Sequence, residues 1–137
     1  TDFDKVTLCT YGNNEKVRTL LRSVAKELSS VTCELSDKQR KNLHIAAVFC
    51  NNFPNHLFGI ARSILGEEKI PFDILFPLID MTIDKIKRFD PFDVQTGPAV
   101  RNEKEIMRQH KEMLGKDERD IYELLSNKII SYHSKEK

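Results

Sequence analysis

The chain has 137 residues, 39% of them apolar and 31% charged, and its 22 Lys and Arg nearly balance 21 Asp and Glu for a formal net charge of +1. That length fits one domain with a core of its own, and that composition excludes a disordered polymer. Charges of both signs are interspersed rather than gathered into a basic face, which argues against a nucleic-acid partner. No apolar run approaches the ~20 residues of a membrane span and no signal peptide is visible, so no membrane association is expected.

Cys9, Cys33 and Cys50 are odd in number and widely spaced, which excludes a disulfide framework and a metal site. They sit among apolar residues, where a free thiol behaves as a small hydrophobe, and a reducing cytoplasm fits them best. The chain starts at Thr1 rather than Met, which reads as a fragment or a processed product. Lys135 to Lys137 read as a frayed tail.

In chain order, Val6 to Thr10 reads as a short strand. Gly12, Asn13 and Asn14 supply turn and cap chemistry. Val17, Leu20, Leu21, Val24 and Leu28 then recur at helical spacing, so residues 14–29 form an amphipathic helix. Val31, Cys33 and Leu35 alternate with polar residues as a second short strand. Two strands joined by a helix pair in parallel. A two-stranded sheet is marginal in water, so this unit reads as the edge of a larger sheet absent from the chain, or one completed by another chain.

From Ser36 the pattern is helical. Ser36 and Gln39 make a capping box. Leu43, Ala46, Ala47, Cys50, Phe53, Leu57, Ile60, Ala61 and Ile64 keep helical period, with Gly66 as the stop. Pro54 lies inside this run and removes one N–H donor, which predicts a kink or a break. Pro71 opens the next helix, whose inner stripe is Phe72, Leu75, Phe76, Ile79, Ile83 and Ile86. Residues 90–98 are loop. Asn102 and Glu105 resemble a capping box for a helix through Leu114, Gly115 breaks it, and a last helix starts at Asp117. The fold class is mainly α: a strand–helix–strand unit over 1–35, then a helical body over 36–137.

Two places carry candidate chemistry. In a regular helix His44, Asn51, Asn55 and Arg62 share one narrow stripe. A His there can act as acid, base or donor, and an Asn can hold a substrate oxygen. The plainer alternative is that these groups cap loops or meet the carbonyl that Pro54 frees. The second place is Thr96-Gly97-Pro98-Ala99-Val100-Arg101, where helix N-terminal N–H groups and the Arg fork could hold an anion. Its plainer alternative is a loop junction with Arg101 paired to a carboxylate. His44, His56, His110 and His133 are scattered without metal-ligand spacing, and His110 reads as a satisfied core histidine. The glycines form neither a dinucleotide fingerprint nor a phosphate loop.

The run His44-Ile-Ala-Ala-Val-Phe-Cys-Asn-Asn-Phe53 and the loop Gln95-Thr-Gly-Pro-Ala-Val-Arg101, with Phe76-Pro-Leu-Ile79 and His110, resemble the C-terminal domain of predicted NAD(P)-dependent oxidoreductases, the family called domain of unknown function 2520. The resemblance runs from about Phe3 to Tyr132. It implies a helical domain similar to the dimerisation domain of pyrroline-5-carboxylate reductase and of 6-phosphogluconate dehydrogenase-like enzymes, which forms the dimer and one wall of the active site. Residues 1–35 would then be the tail of a Rossmann-like domain whose Gly-rich half is missing. The resemblance marks His44 and Asn51 as candidate catalytic residues, and Asn52, Thr96, Gly97 and Arg101 as facing substrate or cofactor. The cofactor, NADP or NAD, enters only through the missing domain, and none is expected for this chain alone.

The preferred expectation is therefore the dimerisation and substrate-side domain of an NAD(P)-dependent oxidoreductase, inactive without its nucleotide domain and acting on an unknown small molecule. The alternative is a free-standing helical interaction module with no enzymatic role. A homodimer is expected because the long helix and the one after it carry Ile45, Val48, Phe49, Ile74, Leu78 and Met81 outside their main stripes. A chain of this size has few layers with which to cover them.

Overall fold

The computed structural model describes residues 6–135, so Phe3 and the last two residues of the expected tail, Glu136 and Lys137, lie outside the described residues. Strand β1 (Leu8–Thr10) leads through a tight turn into helix α1 (Glu15–Leu28), which returns the chain to strand β2 (Thr32–Glu34). The strands pair in parallel with Leu8 beside Thr32, Cys9 beside Cys33 and Thr10 beside Glu34. Each end of α1 is closed by a short polar side chain. Asn14 accepts a hydrogen bond from the Val17 N–H at 2.9 Å. Ser29, buried beyond the C-terminus, donates its hydroxyl to Val6 O at 2.7 Å and accepts from the Val31 N–H at 3.1 Å. That serine ties the end of the helix to the starts of both strands.

Helix α2 (Asp37–Ala47) begins at the expected capping box: Ser36 Oγ accepts from the Gln39 N–H, and Gln39 Oε1 accepts from the Ser36 N–H. The chain then passes through a π-helical turn (Val48–Asn52) into α3 (Phe53–Glu67). Pro54 is the second residue of α3. A proline there sits in the first turn of a new α-segment, where a missing N–H is tolerated. The interruption expected at Pro54 is thus a change of winding immediately before it.

Gly66 does not stop α3. The reversal is made by Lys69, which takes the left-handed conformation at φ 56°. The Lys69 N–H reaches Gly66 O at 3.1 Å and the Ile70 N–H reaches Leu65 O at 2.9 Å, the bond pair of a Schellman motif. Pro71 precedes a short 3-10 turn (Phe72–Leu75) rather than a full helix, and α4 (Phe76–Ile86) follows it. Helices α5 (Lys104–Met113) and α6 (Lys116–His133) complete the chain. The capping box expected at Asn102 and Glu105 does not form: Asn102 sits at φ 53°, Glu103 occupies the cap position, and Glu105 turns to Arg108. A residue in the left-handed region lies outside the extended backbone typical of an N-cap.

The chain divides into two compact units, Thr1–Gly59 and Ile60–Lys137. In the first, Ala25 and Ser29 are buried against the strands; in the second, Ala99 and Met107 are buried. Helices α5 and α6 are joined by His110 Nδ1 to the Tyr122 hydroxyl at 2.9 Å and by Lys111 Nζ to Glu123 at 3.1 Å. Phe92 stacks on Tyr132 with centroids 4.1 Å apart. Most of the apolar side chains that form the expected stripes are exposed, among them Leu20, Leu43, Phe53 and Phe76.

Candidate functional site

His44 lies in the last turn of α2, and its carbonyl accepts from the Val48 N–H. Asn51 and Asn52 lie inside the π-turn, and the Phe53 N–H closes that turn on Val48 O, five residues back. All three side chains are exposed. A turn closed five residues back holds one residue more than an α-turn. A side chain beyond it therefore takes the angular place its predecessor would hold in an unbroken α-helix. The segment offers an imidazole that can give or take a proton and, two turns on, an amide that can donate to an oxygen.

The residues from Thr96 to Arg101 form a chain of tight turns. Gly97 is at φ 108°, a region that favours glycine. The Arg101 N–H reaches back to Gly97 O, the Asn102 N–H to Ala99 O and the Glu103 N–H to Pro98 O, at 3.4, 3.2 and 2.9 Å. These N–H groups are spent within the turn rather than held open for an anion. Arg101 forms a two-pronged bridge to Glu103 at 2.8 and 2.9 Å. The bridge raises the guanidinium pKa and lowers that of the Glu103 carboxyl, chiefly through these hydrogen bonds. The pairing of Arg101 with a carboxylate is what the structure contains.

Two grooves lie outside the residues singled out in the sequence. One, of about 350 Å³, opens at the carboxyl ends of the two parallel strands between Tyr11, Gly12, Arg18, Glu34, Ser36 and Asp37. Its charges are largely satisfied internally: Arg22 bridges Glu34, and Asp37 holds Arg40 and Lys41, which keeps both carboxyls below their usual range. Arg40 also stands over the Tyr11 ring, 5.8 Å from its centroid. The other groove, of about 230 Å³, runs between α5 and α6 past Lys104, Arg108, Lys111, Tyr122 and Asn127. Arg108 there is held between Glu105 and Glu112. Among the described residues, no three His, Cys, Asp or Glu side chains gather to hold a metal ion, and no helix is long and apolar enough to cross a membrane.

A mainly α chain that opens with a parallel strand–helix–strand unit, and whose long helix carries His44, Asn51 and Asn52 about a π-turn, is the class of domain in hand. Residues 6–129 match the family model described as Domain of unknown function (DUF2520), and the chain belongs to that family. It is similar to a protein from Bacteroides fragilis, BF3122, titled "putative NADP oxidoreductase", with 35% identity, a TM-score of 0.90, and coverage of 96% of this chain and 51% of that one. Protein TM1727 from Thermotoga maritima shares the fold, with 19% identity, a TM-score of 0.75, and coverage of 98% of this chain and 56% of that one. The chain thus spans about half the length of either structure. No functionally curated protein matches it.

Proposed function

We propose that this chain is the C-terminal, substrate-side and dimerising domain of an NADP- or NAD-dependent oxidoreductase of the cytoplasm. The observation that carries the reading is the likeness to the twice-longer Bacteroides protein, described as a "putative NADP oxidoreductase". In this reading residues 1–35 extend a nucleotide-binding domain and residues 36–137 supply the other wall of a cleft. His44 exchanges a proton with the substrate group that gains or loses hydride, and Asn51 holds a substrate oxygen. Asn52, Thr96, Gly97 and Arg101 face substrate or cofactor, and the Arg101–Glu103 bridge keeps the turn from Thr96 in one form. The cofactor comes with the nucleotide domain, because no Gly-rich strand–turn–helix is present in this chain.

The dimer part of the proposal rests on uncovered apolar surface. Phe49 is 64% exposed, Ile74 65% and Leu78 54%, and Phe53, Phe76 and Met81 are exposed beside them in sequence. Apolar patches of that kind on soluble proteins mark an interface, and a two-fold partner covers the same surface on both copies. Light scattering at micromolar concentration should return twice the 15.9 kDa chain mass; a monomer mass would overturn the dimer. Titration of the 137-residue chain with NADPH, followed by nicotinamide fluorescence, should show no saturable micromolar binding. In the chain joined to its nucleotide domain, His44→Ala should lower turnover while leaving the melting temperature in place. Equal turnover would overturn the role of His44.

A further inference from the structure

We propose that Cys9 and Cys33 form a redox-responsive thiol pair that closes into a disulfide across the two parallel strands. The three cysteines are free, and all are exposed. Cys9 and Cys33 are direct register partners on β1 and β2. Neighbouring strands lie about 4.7–4.9 Å apart, inside the Cα separation of about 4.4–6.8 Å that a disulfide spans. The two side chains also leave the sheet on one side. Register partners in a parallel pair share a face, and successive residues alternate faces. Glu34 is bridged by Arg22 of α1, so it points toward the helix. Its neighbour Cys33 therefore points to the opposite, open face, and Cys9 points there with it.

The reaction needs an oxidant, and a small-molecule disulfide such as oxidised glutathione supplies it. One cysteine thiolate attacks a sulfur of that disulfide, breaking its S–S bond and expelling one small thiolate. The neighbouring cysteine thiolate then attacks the protein sulfur of the mixed disulfide and expels the second. The protein gives up two electrons and two protons, and the small disulfide leaves as two thiols. Side chains of register partners stand nearly parallel, so their Cβ atoms lie about as far apart as the strands. That is beyond the roughly 3.5–4.5 Å of a relaxed disulfide, and closing the bond draws the two strands together under strain. An exposed bond of that kind is reopened by excess thiol. Closed, it fastens the start of the sheet that α1 spans.

The test treats the 137-residue chain with oxidised glutathione and maps its peptides without reduction. The expected product is a peptide containing Cys9 linked to one containing Cys33, with the loss of two hydrogens and with Cys50 outside the link. Glutathione on both Cys9 and Cys33 with no link between them would overturn the proposal, as would a link from either to Cys50. Cys9→Ser should trap glutathione on Cys33. In a Cys50→Ser background the oxidised chain should melt at a higher temperature than the reduced one, and excess dithiothreitol should remove the difference. Linked strands with no rise in melting temperature would overturn the fastening.

Discussion

His110 Nδ1 meets the Tyr122 hydroxyl at 2.9 Å, and the two rings stand edge to face with centroids 5.8 Å apart. One pair of side chains thus joins α5 to α6 by a hydrogen bond and by ring packing together. Tyr122→Phe keeps the ring and deletes the hydroxyl. It should cost about 0.5–1.5 kcal/mol, the net worth of one such bond, and His110→Ala should cost more because the ring contact goes too. Urea unfolding of the three chains measures both. Equal midpoints for Tyr122→Phe and the parent would show that the bond adds nothing.

Glu105 accepts from Arg108 and from Gln109, and these hydrogen bonds, with Arg108 first, hold its carboxyl at about 2 instead of the ordinary 4.5. The folded pKa lies below the unfolded one, so between the two values the unfolded chain binds more protons. The contribution to stability is complete above about pH 4.5 and disappears as the pH falls through about 2. The pair is exposed, so the effect on overall stability is modest. A side-chain carboxyl NMR titration should give Glu105 a midpoint near 2, and Arg108→Gln should return it toward the ordinary carboxylate range. An unchanged midpoint in that variant would assign the shift to another cause.

Gly12 is buried in the turn between β1 and α1, where Arg18 Nε donates to its carbonyl at 3.1 Å. A Cβ on residue 12 would stand 2.8 Å from Arg18 Cγ and 2.9 Å from the Arg18 backbone nitrogen. The long side chain can move, but the backbone of α1 cannot move without disturbing the Asn14 cap. Gly12→Ala should therefore destabilise the chain by about 1–3 kcal/mol, as overpacking does. Thermal unfolding checks the sign: a variant as stable as the parent would mean that the turn yields freely.

Lys69 calls for the opposite kind of change. It holds the left-handed position that ends α3, where an L side chain costs roughly 1–2 kcal/mol relative to glycine's freedom. Lys69→Gly should raise stability by a fraction of that amount, since glycine also gains entropy when unfolded. A rise in the urea midpoint is the expected result, and Lys69→Val should lower it. A fall for glycine would mean that the lysine makes a compensating contact.

Local chemistry was the legible part. The Asn14 cap, the Ser36–Gln39 capping box and the parallel strand–helix–strand unit were readable because each is written within a few residues or one helical period. Asn102 and Glu105 have the spacing of a capping box, but the tight turns from Gly97 place Asn102 in the left-handed region and remove the cap. Gly66 looked like the stop for α3, and the backbone chose Lys69 because the Schellman bonds close there. Cys9 and Cys33 are distant in sequence, so only strand register brings them side by side. Of the candidate site, the helix that carries His44 was legible. The π-turn within it was not, because periodicity assumes an unbroken winding. A carboxylate partner was one of two even readings for Arg101, and the structure holds Glu103 there, two residues on.

The π-turn makes the α2–α3 helix tolerant of changes in length that helices normally refuse. Insertions and deletions are usually confined to loops, because one residue more or less rotates everything downstream by about 100°. Here the spare residue is already stored between Val48 and Asn52. Removing it would leave a continuous α-helix with its hydrogen bonds intact, and the side chains after Asn52 would keep their present angular phase. The helix would survive such a deletion with its faces unchanged, whereas the same deletion within α2 or α3 would rotate everything after it by about 100°.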